Sequence, residues 1–197
     1  MKEKVAVLTD TNSGIMGEEA EKKGIYVMPM PVIIEDEIFY EGQNLTDEQF
    51  YSALEAGKQI STSQPAPGDL LEKWEELLSA YEQVLYIPMS AGLSNSCASA
   101  AALSREFDGR VCVVDNHRIS VTLRTSVEEA KKMAENGWMA EAIKQNLEEN
   151  AYRSSIYIAV NTLTYLRRGG RITQTAAMVG NVLQIKPVLT IQGEKLD

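Results

Sequence analysis

Hydroxyl side chains gather in two short turns of this chain, Ser61-Thr62-Ser63-Gln64-Pro65 and Ser90-Ala91-Gly92-Leu93-Ser94. A hydroxyl becomes a nucleophile only when a base takes its proton, and that base is most often a histidine held beside it. The sequence has one histidine, His117, and no G-x-S-x-G segment to make the strained elbow of a serine hydrolase. Without a base, the hydroxyls still donate hydrogen bonds, and a carboxylate near a helix N-terminus is well served by hydroxyl and backbone N–H donors. Carboxylate binding is therefore favoured over hydroxyl catalysis. The rival readings are a hydrolase using Ser90 or Ser94 with His117, and a regulatory module that senses a different small carboxylate.

Each candidate also has a plainer role. Ser94, in the first turn of a predicted helix, can serve simply as its cap, and a hydroxyl before Gln-Pro, as Thr62 is, can serve simply to stabilise a turn, which on that turn alone is the favoured reading. Asp10 follows a predicted strand and has no second carboxylate at ligand spacing, which favours a structural turn over a metal site. Arg167, Arg168 and Arg171 form the densest basic cluster in the chain. They suit either a docking surface and counter-charge, or the C-terminal end of a helix that stops at Gly169-Gly170. His117 reads as an exposed loop residue. Met28, Met30 and Met89 read first as core packing, with the lining of an adaptable apolar tunnel as the alternative.

The elements that must position these residues alternate. Val5-Ala6-Val7-Leu8-Thr9 is a nearly continuous apolar run ending in polar residues, the pattern of a strand buried on both faces. Residues 25–34 read as a second strand, irregular or at an edge because Pro29 and Pro31 interrupt it. Thr46-Asp47-Glu48-Gln49 is a capping box opening a helix. Asp69 opens an amphipathic helix whose Leu70, Leu71, Trp74, Leu77 and Leu78 share one face, assigned to the core. Strands are then expected over 83–87, 111–114 and 155–160, and helices over 93–107, 119–136 and 139–150.

This alternation predicts an α/β fold, a mostly parallel sheet with helices on both faces, in residues 1–152. Ligands of such sheets gather at the carboxyl ends of the strands, so the turns after Thr9, Pro88 and Val114 are expected to converge. Residues 153–197 read as the incomplete beginning of a second, smaller domain. They include a small-residue helix over 176–182 and a β-like run over 187–191, expected to be an unpaired edge.

Composition narrows the classes. A formal charge of −9 over 197 residues argues against nucleic acid, whose affinity comes mainly from lysine and arginine neutralising phosphates. No apolar stretch approaches membrane-spanning length and no signal-peptide pattern opens the chain, so an intracellular, cytoplasmic protein is expected. Cys97 and Cys112 match neither a redox pair nor a zinc site and read as buried free thiols.

Taken in order along the chain, the motifs resemble the DegV family of bacterial fatty-acid-binding proteins. The resemblance rests on Thr9-Asp10, the 61–65 and 90–94 turns, Val114-Asp115 with Ser120, and Tyr165-Leu166-Arg167-Arg168-Gly169-Gly170-Arg171-Ile172 continuing into Ile185-Lys186-Pro187-Val188-Leu189. It implies that Thr62 and Ser94 hold the carboxylate of a long-chain fatty acid, with Ser63, Ser90, Gly92, Asp10 and Ser120 in support. It further implies that the acyl chain enters an apolar tunnel and that the protein is a carrier, presenting the head group to a partner fatty acid kinase that makes the acyl phosphate for phospholipid synthesis. No cofactor or metal is implied. The chain departs from the family pattern at Asn95-Ser96-Cys97, where glycine-threonine-tyrosine is usual, and at Val121-Thr122-Leu123-Arg124, where glycines are usual.

Overall fold

The computed structural model describes residues 3–172 and 187–192. The helix expected over 176–182 and the motif residues Ile185 and Lys186 lie outside them.

Strand β1 (Glu3–Asp10) lies at the centre of a four-stranded parallel sheet, between β2 (Tyr26–Met28) and β6 (Tyr81–Ile87), with β7 (Val111–Val113) beyond β6. The register pairs Leu8 with Tyr26 on one side and with Tyr86 on the other. Successive residues of a strand point to opposite faces, so β1 supplies both halves of the core. Val5 and Val7 join Leu85, Ile87, Leu123, Val127 and Ile143 on one face, where helices α5 (Ser120–Glu135) and α6 (Ala140–Glu149) pack. Ala6 and Leu8 join Tyr86, Val113, Leu70, Trp74 and Cys97 on the other, under α3 (Pro67–Ala80) and α4 (Ser96–Leu103). The fully buried Trp74 ring meets Tyr86 and Phe107 edge to face, with centroids 6.1 and 5.5 Å away. The apolar face assigned from sequence to the 69–78 segment is core, with Leu71 only half buried.

Three expectations are corrected. Residues 25–34 are not one strand: β2 ends at Met28, Pro29 breaks the run, and β3 (Pro31–Ile34) lies at the centre of a separate antiparallel sheet. That sheet has the order β4 (Glu37–Tyr40), β3, β5 (Ile60–Thr62), and packs on α2 (Asp47–Glu55) through Ile34, Leu45 and Ala53. Ser61 and Thr62, read as turn residues, are therefore strand residues, with Thr62 opposite Val32. Finally, β9 (Val188–Ile191) is not unpaired. It runs antiparallel to β8 (Ile156–Ala159), and Ile191 and Ile156 pack against the first core.

The capping box of α2 is as expected, with the Gln49 N–H donating to Thr46 Oγ1 and the Thr46 N–H to Gln49 Oε1. Helix α7 (Thr164–Arg168) carries Arg167 and Arg168 in its last turn, and Gly170 follows at φ 73°. Among the described residues, no helix is long and apolar enough to cross a membrane.

Candidate functional site

Polar loops follow the carboxyl ends of β1, β6 and β7, and backbone bonds hold them against one another. After β1, the buried Asp10 carboxylate accepts the Asn12 N–H and side-chain amide through Oδ1, both at 3.0 Å, and the Met89 N–H through Oδ2 at 2.9 Å. Burial raises the Asp10 pKa above the usual 3.8, against the opposing pull of these donors. Thr11–Ser13 then make one 3-10 turn, closed by Gly14 in the left-handed region.

After β6, the Ser90 carbonyl accepts from the Leu93 and Ser94 N–H groups at 3.1 and 3.2 Å, and Ser90 Oγ accepts from the Gly92 N–H at 3.2 Å. Ser90 is fully buried, so its hydroxyl shapes the turn from below. Ser94 lies two residues before α4, and its Oγ accepts the Ser96 N–H at 3.2 Å. The N-cap residue is Asn95, without a side-chain capping bond, so Ser94 is a turn residue ahead of the cap, and its hydroxyl proton is still free for another acceptor.

After β7, Asp115 Oδ1 accepts the Ala91 N–H at 3.3 Å and the Arg118 carbonyl accepts the Ser90 N–H at 2.9 Å, locking this loop to the second hydroxyl turn. Arg118 is itself buried, donating to Ser126 Oγ at 2.8 Å and to the Asn150 carbonyl at 2.7 Å. His117 is half buried, not exposed, with its ring 5.2 Å from that of Tyr152. It does not line the cavity described next, which leaves a hydrolase built on Ser94 without its base. Ser120 starts α5 at φ 53°, exposed and also outside the cavity.

The first hydroxyl turn reaches the site from the antiparallel sheet. The Ser63 N–H donates to the Pro31 carbonyl at 3.2 Å, and Gln64 Oε1 accepts from Ser99 Oγ of α4 at 3.0 Å. These bonds tie the turn after β5 to β3 on one side and to α4 on the other. Thr62, Ser63 and Gln64 line the same cavity, of about 1710 Å³, as Gly92, Leu93 and Ser94. Its apolar walls include Met30, Met89, Phe50, Ile119, Leu166 and Leu189, whereas Met28 lies in the core.

Charge is unevenly placed around this space. Glu41 and Asp47 line it, and burial together with the Asp47 charge raises the Glu41 pKa. Arg171 is the one cationic side chain among the described lining residues, held by Nε donating to the Leu93 carbonyl at 3.4 Å and Nη1 to the Gly169 carbonyl at 2.6 Å. Arg167 and Arg168 do not line it. Among the described residues, no group of histidine, cysteine, aspartate or glutamate side chains could hold a metal ion.

Thr11, Asn12 and Gln64, which the sequence places in the expected polar turns without a role of their own, also line the cavity. The available signal was their position directly after a predicted strand or inside a hydroxyl turn.

Fold and site together define an α/β protein with a ligand-sized apolar cavity opening among polar loops at the carboxyl edge of a parallel sheet. The chain belongs to the DegV family: the family model described as "Uncharacterised protein, DegV family" matches residues 4–197. A DegV domain-containing protein of Deinococcus radiodurans is 33% identical over 194 residues, covering 98% of this chain and 69% of the relative. A DegV family protein of Thermus thermophilus, solved for its fatty acid binding, matches with a TM-score of 0.87 at 31% identity, over 100% of this chain and 70% of that one. DegV of Bacillus subtilis, described as a fatty acid binding protein, matches with a TM-score of 0.85 at 29% identity, over 98% of this chain and 70% of that one.

Proposed function

We propose that this protein binds a long-chain fatty acid, holds its carboxylate with the Thr62 and Ser94 hydroxyls, and presents that head group to a separate fatty acid kinase for acyl phosphate formation. The observation that carries the reading is that both hydroxyl turns, distant in sequence and placed by different sheets, line one apolar cavity. The fatty acid binding of the Thermus and Bacillus relatives supports the ligand class. Each buried methylene contributes about 0.8 kcal/mol, so roughly a dozen supply on the order of 10 kcal/mol before the entropy of association is subtracted. Hydroxyl bonds to the charged head add about 1.5–3 kcal/mol each and fix its orientation.

Ser63, Gly92 and Ser90 support the two turns in this reading, Asp10 holds the loops together, and Ser120 sets the start of α5. Arg171 is the counter-charge at the head-group end, while Arg167 and Arg168, outside the cavity, form the kinase-docking surface. The protein performs no catalytic step of its own. Residues 1–152 are the main ligand domain and 153–197 belong to a second one, whose Leu166, Arg171 and Leu189 add to the cavity wall, a division favoured by the change from the parallel sheet to the antiparallel β8–β9 pair.

Native mass spectrometry of protein purified from cells tests the reading. The expected result is a co-purifying long-chain acid that disappears in the double variant Thr62→Ala, Ser94→Ala and persists in Ser52→Ala, which alters an exposed hydroxyl of α2. A wild-type protein consistently free of acid, or equal loss in both variants, rejects the reading.

A further inference from the structure

The cavity wall contains a buried hydroxyl that neither turn accounts for. Thr11 lines the cavity yet is only 5% exposed, fixed in the single 3-10 turn that Asp10 caps. Its Oγ1 accepts the Met30 N–H at 3.2 Å. A hydroxyl carries one donor and two acceptor lone pairs, so this bond leaves its proton unspent, and among the described residues it donates to none. A buried donor without an acceptor is costly, which makes such a group a marker for a ligand atom.

The hydrogen-bond pattern ties Thr11 to both hydroxyl turns. Met30 donates to Thr11 while the carbonyl of the next residue, Pro31, accepts the Ser63 N–H at 3.2 Å, so one dipeptide joins Thr11 to the first hydroxyl turn. On the other side, Asp10 accepts the N–H of Met89, the residue preceding the second hydroxyl turn. Thr11 and its neighbour Asp10 are thus bonded to the segments leading into both turns, and Thr11 lines the same cavity as Thr62 and Ser94.

We infer that Thr11 is a third hydrogen-bond donor to the carboxylate, an inference that rests on the fatty acid reading above. An ionised carboxylate is acceptor-only, with two oxygens and about four lone-pair sites. Thr62 and Ser94 fill two of these, and in a cavity with apolar walls the remaining sites need donors too. Because Met30 already donates to Oγ1, the Thr11 hydroxyl is oriented and polarised before ligand arrives.

The test measures displacement of an acyl fluorophore by hexadecanoic acid and by its methyl ester, on wild type, Thr11→Val and Thr11→Ser. Thr11→Val is expected to weaken the acid about tenfold or more and the ester little, and Thr11→Ser to recover most of the loss. Thermal midpoints establish that each variant folds. If Thr11→Val does not fold, Thr11→Cys replaces it, with the same selective loss expected.

Equal weakening of acid and ester means Thr11 only buttresses Met30, and an unchanged acid affinity means it donates to nothing in the ligand; either result overturns the inference. A wild-type protein that binds neither compound overturns the fatty acid reading itself, a result distinct from both.

Discussion

The Asp10 carboxylate and the Met89 backbone N–H, 79 residues apart in sequence, meet at 2.9 Å and tie the end of β1 to the strand end that carries the second hydroxyl turn. The other carboxylate oxygen holds Asn12 at 3.0 Å, so a single buried side chain sets the spacing of two loops that line the cavity.

Asp10→Asn is nearly isosteric but offers only one acceptor oxygen, and its amide group must then face either the Met89 N–H or Asn12. Donor against donor in a buried site is expected to cost about 1–3 kcal/mol in urea unfolding, with weaker acyl binding as the loops separate. A variant as stable as wild type would remove Asp10 from this role. Because burial raises its pKa in the folded state, the stability linked to its protonated form is present below 3.8 and lost as pH rises through the folded value. Asp10 therefore does not drive acid unfolding, and the Asp10→Asn penalty persists at neutral pH.

Ser120 yields a backbone prediction. Its φ of 53° is left-handed, where a Cβ costs about 1 kcal/mol or more and glycine is at ease. Ser120→Gly is expected to unfold at the same urea concentration as wild type or a higher one. Ser120→Val, β-branched in the same conformation, is expected to unfold at a clearly lower one. Similar midpoints for the two variants would mean that the start of α5 is not held in this conformation in solution.

How much of this was legible in the sequence depended on the range of the interactions involved. The capping box at Thr46 and Gln49 and the apolar face of α3 are set by residues three or four apart, so local spacing revealed them. The buried runs of β1, β6 and β7 were likewise readable, since a strand covered on both faces is apolar throughout. Ser61 and Thr62 were misread because only pairing with Ile33 and Val32, nearly thirty residues away in sequence, makes them a strand. The same holds for β9, whose partner β8 lies across the basic turn. For the site, residue types pointed to Thr62 and Ser94, but Thr11 became visible only through its bond to Met30, which no local pattern encodes.

The buried thiols predict an alkaline limit to stability. Burial pushes Cys97 up to about 12, with the Asp115 charge adding to the effect, and pushes Cys112, beside Glu141, up to about 11. Both folded-state values lie above the ordinary 9.0, so the folded state favours the protonated thiols. Their contribution is full below pH 9.0 and is lost as pH rises towards about 11 and about 12. Burial likewise raises Tyr86, which acts in the same direction. Urea midpoints are expected to fall over this window, and less steeply in Cys97→Ala. Parallel curves for the two proteins would count against a thiol contribution. Neither thiol is expected to react with a disulfide reagent in the native protein at neutral pH.

The three arginines of the basic turn separate by position. Arg171 lines the cavity, with Nε on the carbonyl of the residue before Ser94, whereas Arg167 and Arg168 end α7 outside it. A counter-charge acts through Coulomb attraction that salt screens, most strongly where the pair is exposed. Arg171→Met is therefore expected to lower acid affinity several-fold and to flatten its dependence on ionic strength, with the methyl ester bound as before. Arg167→Ala and Arg168→Ala are expected to leave both ligands' affinities unchanged. A flattening shared by all three variants would mean that the acid senses the general basic field of the turn, and Arg171 would lose its assignment at the head-group end.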